Sequence, residues 1–372
     1  MKWISILTLL FVSFLLLDGC VLPFSPPEVA SADRFLVVDG FLNTNGKDSS
    51  RITLTYTQVV SNKNTFTTEL KAQVTVEGDK GSNFAFTEIG KGLYRLAPRT
   101  FNATENYRIR IKTTGKKEYL SDYVVSKQTP PIDSITYKIS SDKKFVQINV
   151  NAHDDLSKTN FYRWKFEETW EYFMPLYSLY EIKNNSIIDR VENINTCWKT
   201  ETPSTILLAS TIKLSQDVIR DAPITNIPTA TNKLLVKYSI LVKQFGLTEE
   251  GFKYWSALAK TTETTGSLFD AQPSQVTGNI KCTTNPQELV FGFFTARVPQ
   301  EKRIFLSLGL GIYSQCAPLD TLSIGDALKA QSFLISQYWA DGARVPEYVV
   351  GDPACGDCRT KGGITKRPSF WQ

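Results

Sequence analysis

The sequence predicts a mainly β protein of two modules behind an export leader. An N-terminal immunoglobulin-like or transthyretin-like sandwich precedes a larger β-rich domain with one amphipathic helix and a stapled, irregular C-terminal tail. Three observations predict this. Short runs rich in Val, Ile, Thr, Tyr and Phe recur between turn residues, and several alternate apolar with polar positions, as in Arg51-Ile52-Thr53-Leu54-Thr55-Tyr56. The chain is 42% hydrophobic and 12% aromatic, which supplies folded cores and argues against disorder. At 372 residues it exceeds what one core usually organises, so two domains are expected.

The leader comes first. Lys2 is followed by an apolar run over residues 3–17, broken only by Ser5, Thr8 and Ser13 and closed by Leu17-Asp18-Gly19-Cys20. That order is a secretory signal, and the run is shorter than the roughly 20 residues a spanning helix needs. A cysteine directly after the small Gly19 matches a bacterial lipobox. There the Cys20 thiol is acylated by palmitate-type chains, cleavage makes it the mature N-terminus, and the chains hold the protein to the lipid bilayer. Asp18 departs from the small or apolar residue usual before that glycine, and ordinary signal cleavage with Cys20 incidental is the alternative. Residues 1–19 therefore read as signal peptide and 20–33 as a lipidated tether, because Pro23, Pro26 and Pro27 stand among small residues without an apolar period.

Seven β runs follow over residues 34–127, with Asn45-Gly46, Asp79-Lys80-Gly81 and Thr114-Gly115 at hairpin positions. Thr129-Pro130-Pro131 is the expected hinge, since prolines cannot donate to a ladder. Residues 132–350 then form the second module. Within it Tyr162, Trp164, Phe166 and Trp170 alternate against Arg163, Lys165 and Glu167, a period of two that puts the rings on one strand face. A core face is favoured over an exposed carbohydrate-stacking platform. Residues 173–232 are polar, proline-containing and weakly periodic, and read as a long excursion. Thr248 is an N-cap candidate ahead of Glu249 and Glu250, with Phe252, Trp255, Leu258 and Ala259 at helical spacing, so one helix is expected near 248–262. Residues 289–296 and 303–308 read as further strands. Residues 351–372 form a Cys/Gly-rich basic tail, with Arg359, Lys361, Lys366 and Arg367 against Asp357.

Net charge is +5 with Lys and Arg scattered among Asp and Glu, so no basic stripe points to nucleic acid. With Cys20 committed to lipid, Cys197, Cys282, Cys316, Cys355 and Cys358 remain, and the odd number leaves at least one unpaired. Cys355-x-x-Cys358 has redox spacing but lacks the strand-then-helix context of an exchange motif, which favours a structural disulfide. A zinc site would need Cys316 or His153 as further ligands. His153 is the only histidine, which excludes a multi-histidine centre, and no GxSxG elbow completes a triad around it. Asp154-Asp155 is expected to be a solvated turn. Gly309-Leu310-Gly311 lacks the third glycine and the helix of a dinucleotide site. No catalytic residue, metal or cofactor is expected.

Over almost the whole mature chain the sequence resembles a family of Bacteroidota outer-membrane lipoproteins of unknown function, the domain-of-unknown-function 4249 type. The residues that carry the resemblance are Leu36-Val37-Val38-Asp39-Gly40, Gly92-Leu93-Tyr94, Tyr162-Arg163-Trp164 and Cys197-Trp198. Further matches are Gly266-Ser267-Leu268-Phe269-Asp270 through Pro273-Ser274, Gly278-Asn279-Ile280, Asn285-Pro286, Phe291-Gly292-Phe293-Phe294 and the run from Cys355 to Trp371. The resemblance implies lipid anchoring in the outer membrane. It also implies a gene neighbourhood with TonB-dependent receptors, and it brings no catalytic residues. The segment after Cys20 lacks the acidic cluster that often marks surface export in these bacteria, which leaves cell-surface display open. The expected role is a non-catalytic accessory binding partner of a TonB-dependent transporter or another outer-membrane barrel complex. The alternatives are an adhesin or glycan-binding surface lipoprotein and, behind it, a CxxC thiol oxidoreductase.

Overall fold

Alternation of apolar and polar side chains builds two β sandwiches, seen in a computed structural model that describes residues 34–58, 67–263, 276–312 and 315–372. The signal, Cys20, the tether and the Gly266 to Ser274 motif lie outside the described residues. In the first sandwich the strands Leu36–Asn43, Ser50–Tyr56 and Leu93–Leu96 pair antiparallel, and Tyr107–Lys112 lies between Gln73–Gly78 and Glu118–Ser121 in the facing sheet. Leu36, Ile52, Leu54, Val76, Ile109 and Ile111 fill the space between the sheets with no exposed surface. The predicted run Phe84 to Gly90 divides into Asn83–Ala85 in one sheet and Thr87–Gly90 in the other, with buried Phe86 at the crossing.

This sandwich is completed from far along the chain. Ile280–Cys282 adds to Glu118–Ser121, and Val290–Phe291 and Ala296–Arg297 run parallel to Leu36–Asn43. Two glycines from the motifs Gly278-Asn279-Ile280 and Phe291-Gly292-Phe293-Phe294 make that return fit. A Cβ on Gly278 would lie 1.6 Å from the Gly292 carbonyl oxygen, and one on Gly292, whose φ is +127°, would lie 2.2 Å from that of Val38. Asn279 locks the approach, its side chain donating to Phe294 O at 2.9 Å and accepting from Phe294 N at 2.8 Å.

The second sandwich packs the sheet of Ile132–Ile139, Phe145–His153 and Val218–Pro228 against a sheet centred on Phe161–Phe173. Around that central strand lie Lys237–Gly246, Gln300–Leu306, Thr196–Glu201 and Leu207–Ser210. The stretch 173–232, read as an excursion, instead contributes strands. It includes the hairpin Tyr180–Lys183 with Ser186–Asp189 and the long Val218–Pro228. Its prolines hid that strand from a sequence reading; Pro223 is tolerated because the strand lies at a sheet edge, where its register against Phe145–His153 shifts. The Thr129-Pro130-Pro131 segment is clamped, with Thr129 Oγ1 accepting from Gly246 N at 3.0 Å and Pro130 O from Gln244 Nε2 at 2.8 Å.

The expected helix spans Glu249–Glu263. Thr248 Oγ1 accepts from Gly251 N at 3.2 Å, and Glu249 pairs with Lys253 at 2.7 Å. Two short helices were not expected, Ile324–Ala330 capped by Ser323 and Pro353–Gly356 capped by Asp352. The first packs on a small sheet of Asp320–Leu322, Glu347–Gly351 and Phe333–Tyr338. The tail is irregular, as expected, and docked: Trp198 and Ile364 exchange backbone hydrogen bonds at 2.9 Å, and buried Trp371 meets Phe305 edge-on.

Candidate functional site

The Cys355-x-x-Cys358 pair does not close on itself, which corrects the sequence reading. Cys358 bonds Cys197 and Cys355 bonds Cys316. The two cysteines belong to different local elements, Cys355 to the short helix Pro353–Gly356 and Cys358 to the 3₁₀ turn Cys358–Lys361, with extended Asp357 between them. Tyr172 Oη donates to Cys358 O at 2.7 Å and Cys358 N to Ile194 O at 2.8 Å, which aims the second sulfur at Cys197. With each sulfur tied elsewhere there is no vicinal dithiol to exchange, and the zinc alternative loses Cys316 to the same disulfides. Cys282 is unpaired and buried.

His153 sits at the surface, its Nδ1 2.7 Å from Asp133 Oδ2 and its Nε2 3.6 Å from Asp155 Oδ1. The Asp133 carboxylate raises its pKa above the ordinary histidine value. Asp154 organises the turn, its carboxylate accepting from the amides of Leu156, Lys158 and Thr159. Gly309 and Gly311 both take positive φ in the connection after Gln300–Leu306.

Tyr162, Trp164, Phe166 and Trp170 are all buried and face the second core, so the exposed platform a sugar-stacking site requires is absent from this face. Their polar atoms are served: Tyr162 Oη donates to Asp217 at 2.8 Å, and Trp164 Nε1 to Gln244 Oε1 at 2.8 Å. At the far end of the strand a cleft of about 250 Å³ is lined by Trp170, Tyr172, Phe173, Lys199, Asn232 and Lys361. Lys199 there pairs with Glu201 at 3.1 Å.

The opposite face holds what the sequence reading missed. Strand alternation puts Arg163, Lys165 and Glu167 there, opposite the rings. Arg163 is only 4% exposed, because the helix lays Trp255 over it with the guanidinium carbon 3.4 Å from the ring centroid. The helix is held down by Phe252 against Phe161, centroids 4.8 Å apart, and by Tyr254 against Phe293 at 5.1 Å. Beside Arg163 on the neighbouring strand stands Phe245. Arg297, also 4% exposed, lies 4.2 Å from the centroids of both Phe245 and Phe41. The junction of the two sandwiches therefore encloses two guanidinium groups among aromatic rings.

These cations are poorly compensated. Arg163 Nε and Arg297 Nε and Nη1 are buried without a hydrogen-bond partner. Lys165, two residues from Arg163, forms no ion pair or side-chain hydrogen bond among the described residues, whereas neighbouring Lys243 pairs with Glu301 at 3.2 Å and Glu167 with Arg303 at 3.1 Å. Loss of water pushes Arg163 down to about 10 and holds Lys165 and Arg297 below their usual ranges, and the charge of Arg163 lowers both of the latter further. The favourable field comes from exposed Asp39, which makes no ion pair with them. A buried unpaired cation costs several kcal/mol, and a cation–π contact returns only about 0.5–2 kcal/mol. Nothing in the local sequence announces this cluster, because Arg163 and Arg297 meet only through the long return of residues 280–297.

The cluster lies within a stretch that a family model matches: residues 22–303 fit the family described as domain of unknown function (DUF4249). The chain belongs to that family. Arg163, Lys165, Trp255 and Arg297 of this DUF4249 member all fall inside the match, while the small three-stranded sheet and the tail lie beyond it. Among curated proteins no sequence matches the chain. Among solved structures, the Yersinia pseudotuberculosis adhesin InvE is similar at 12% identity over 85% of this chain and 73% of that one, with a TM-score of 0.17. A biofilm associated protein BSP domain is similar at 7% identity over 74% of this chain and 59% of that one, with a TM-score of 0.16. At such scores neither likeness carries an argument about this DUF4249 member.

Proposed function

We propose that this protein is a non-catalytic lipoprotein of the bacterial outer membrane, anchored through acylated Cys20, that works as an accessory binding partner of a TonB-dependent transporter or a related barrel complex. The observation that carries the envelope location is the order Lys2, apolar run, Gly19-Cys20, tether, joined to a body whose Cys197, Cys316, Cys355 and Cys358 are closed in two disulfides. Such bonds persist in oxidising compartments outside the cytoplasm. A binding role is supported by the engagement of both CxxC sulfurs with other partners, which leaves that pair no dithiol to exchange. It is supported too by the hairpin of Phe333–Tyr338 and Glu347–Gly351, whose tip leaves Tyr338, Trp339 and Val345 exposed.

The test is affinity recovery of the full-length protein from detergent-solubilised membranes of its native host, followed by identification of what co-purifies. An outer-membrane barrel recovered with wild-type protein and depleted with Cys20→Ser supports the reading. Recovery without any barrel, or an N-terminal peptide carrying no lipid, overturns it.

A further inference from the structure

We propose that the junction between the two sandwiches is a binding site for an oxyanion group, a carboxylate or a phosphate, held by Arg163, Lys165 and Arg297 beneath the helix Glu249–Glu263. The inference does not depend on the transporter reading. Two guanidinium groups more than nine-tenths buried present three N–H-bearing nitrogens with no partner among the described residues, and the adjacent Lys165 ammonium has none there either. Arg163 lies over Trp255, and Arg297 over Phe41 and Phe245, and aromatic rings offer these N–H groups no oxygen or nitrogen acceptor. Unpartnered donors among aromatic rings are an arrangement that receives a planar or tetrahedral anion, since guanidinium edges match carboxylate and phosphate oxygens in pairs.

Charge selects the sign of the occupant. Arg163, Lys165 and Arg297 repel one another, and Asp39 is the carboxylate whose field reaches both arginines. Elsewhere on the same sheet face the cations are paired, Lys243 with Glu301 and Arg303 with Glu167. Among the described residues, Arg163, Lys165 and Arg297 are the cations of this region without an ion pair, and both arginines are only 4% exposed. An anion entering it gains from the low dielectric that makes the empty cluster costly.

The experiment uses the full-length protein purified in detergent, titrated with inorganic phosphate and separately with succinate while chloride holds ionic strength constant. Binding is read by calorimetry and by the thermal midpoint. The expected result is saturable binding of at least one anion, with an apparent affinity reduced tenfold or more in Lys165→Gln and in Arg163→Met. Lys138→Met, which removes a surface lysine paired with Asp221, serves as the charge-matched control and is expected to bind as wild type. The anion that saturates at lower concentration distinguishes phosphate from carboxylate recognition. Lys165 is less enclosed than the arginines, so Lys165→Gln keeps the test decisive if Arg163→Met fails to fold. Absence of saturable binding to both anions, or equal binding by wild type and Lys165→Gln, overturns the proposal.

Discussion

The two faces of the strand Phe161–Phe173 solve the same problem differently. On the core face, large aromatics carry polar atoms inward, and those of Tyr162, Trp164 and Tyr172 find partners in Asp217, Gln244 and Cys358 O. Even the buried carboxylate of Glu168 is met by Tyr238 at 2.8 Å and Lys233 at 3.1 Å. On the other face, Arg163 is enclosed as completely but its Nε has no partner. The first face is arranged for stability, because each buried polar group recovers the hydrogen bond it lost to water. The second retains a cost that packing does not offset, and local breaches of that kind concentrate where a protein binds something.

The largest test of that contrast is Trp164→Ala. It opens a cavity in the second core and strips Gln244 of its donor, so a loss of about 3–5 kcal/mol is expected in urea unfolding. A loss no greater than that of a change on the opposite face would break the comparison.

Next comes the staple that joins the core face to the tail. Cys197 and Cys358 are 161 residues apart, and their bond closes a long loop while fixing the chain beneath Tyr172. Cys197→Ser with Cys358→Ser is expected to cost roughly 2–5 kcal/mol. Trp371 rests on the same docked tail and donates to Glu171 at 3.2 Å. Limited proteolysis should therefore release residues after 358 from the double variant before the sandwiches are cut; simultaneous cleavage throughout would refute the docked-tail description.

Arg163→Met should do much less. It removes a desolvated cation that has no ionic partner to strand, at the expense of one cation–π contact, so stability in phosphate-free chloride buffer should stay within about 1 kcal/mol of wild type or rise. A loss approaching that of Trp164→Ala would mean that Arg163 is a structural element like the aromatics, and the distinction between the faces would fall.

Sequence alone reached the core face and not the other, and the reason is physical. A period of two in Tyr162, Trp164 and Phe166 reports which way side chains point, and any large ring on the inward side is buried by the sheet it faces. The same period says nothing about what covers the outward side. Arg163 is enclosed by a helix some ninety residues later in the chain and Arg297 by Phe41 from the opposite end. The helix itself was legible from Thr248, Glu249 and Glu250, but its resting place was not. Pairing of Cys355 and Cys358 failed for a related reason, since spacing gives proximity along the chain while Cys197 and Cys316 arrive through tertiary structure. Val218–Pro228 was hidden because its prolines mask a strand that an edge position permits.

The smallest effect sharpens the comparison from outside the strand. His153 is a charged group with a partner and with water, the reverse of Arg163 on both counts, and the two pKa values move in opposite directions. Asp133, 2.7 Å away, favours the imidazolium, so the folded value lies above the ordinary histidine value of about 6.5. A raised folded value means the folded state holds its proton more tightly. The contribution to stability is then complete below the unfolded pKa and is lost as pH rises through the folded one. Because His153 is the only histidine, its ring resonances can be followed through a pH titration without assignment. Asp133→Asn should bring the midpoint down toward the ordinary value, with Asp155 left as the weaker influence at 3.6 Å. A wild-type midpoint at or below the ordinary value would show that this surface pair does not hold in solution. The contrast between partnered and unpartnered charge would then rest on the buried cluster alone.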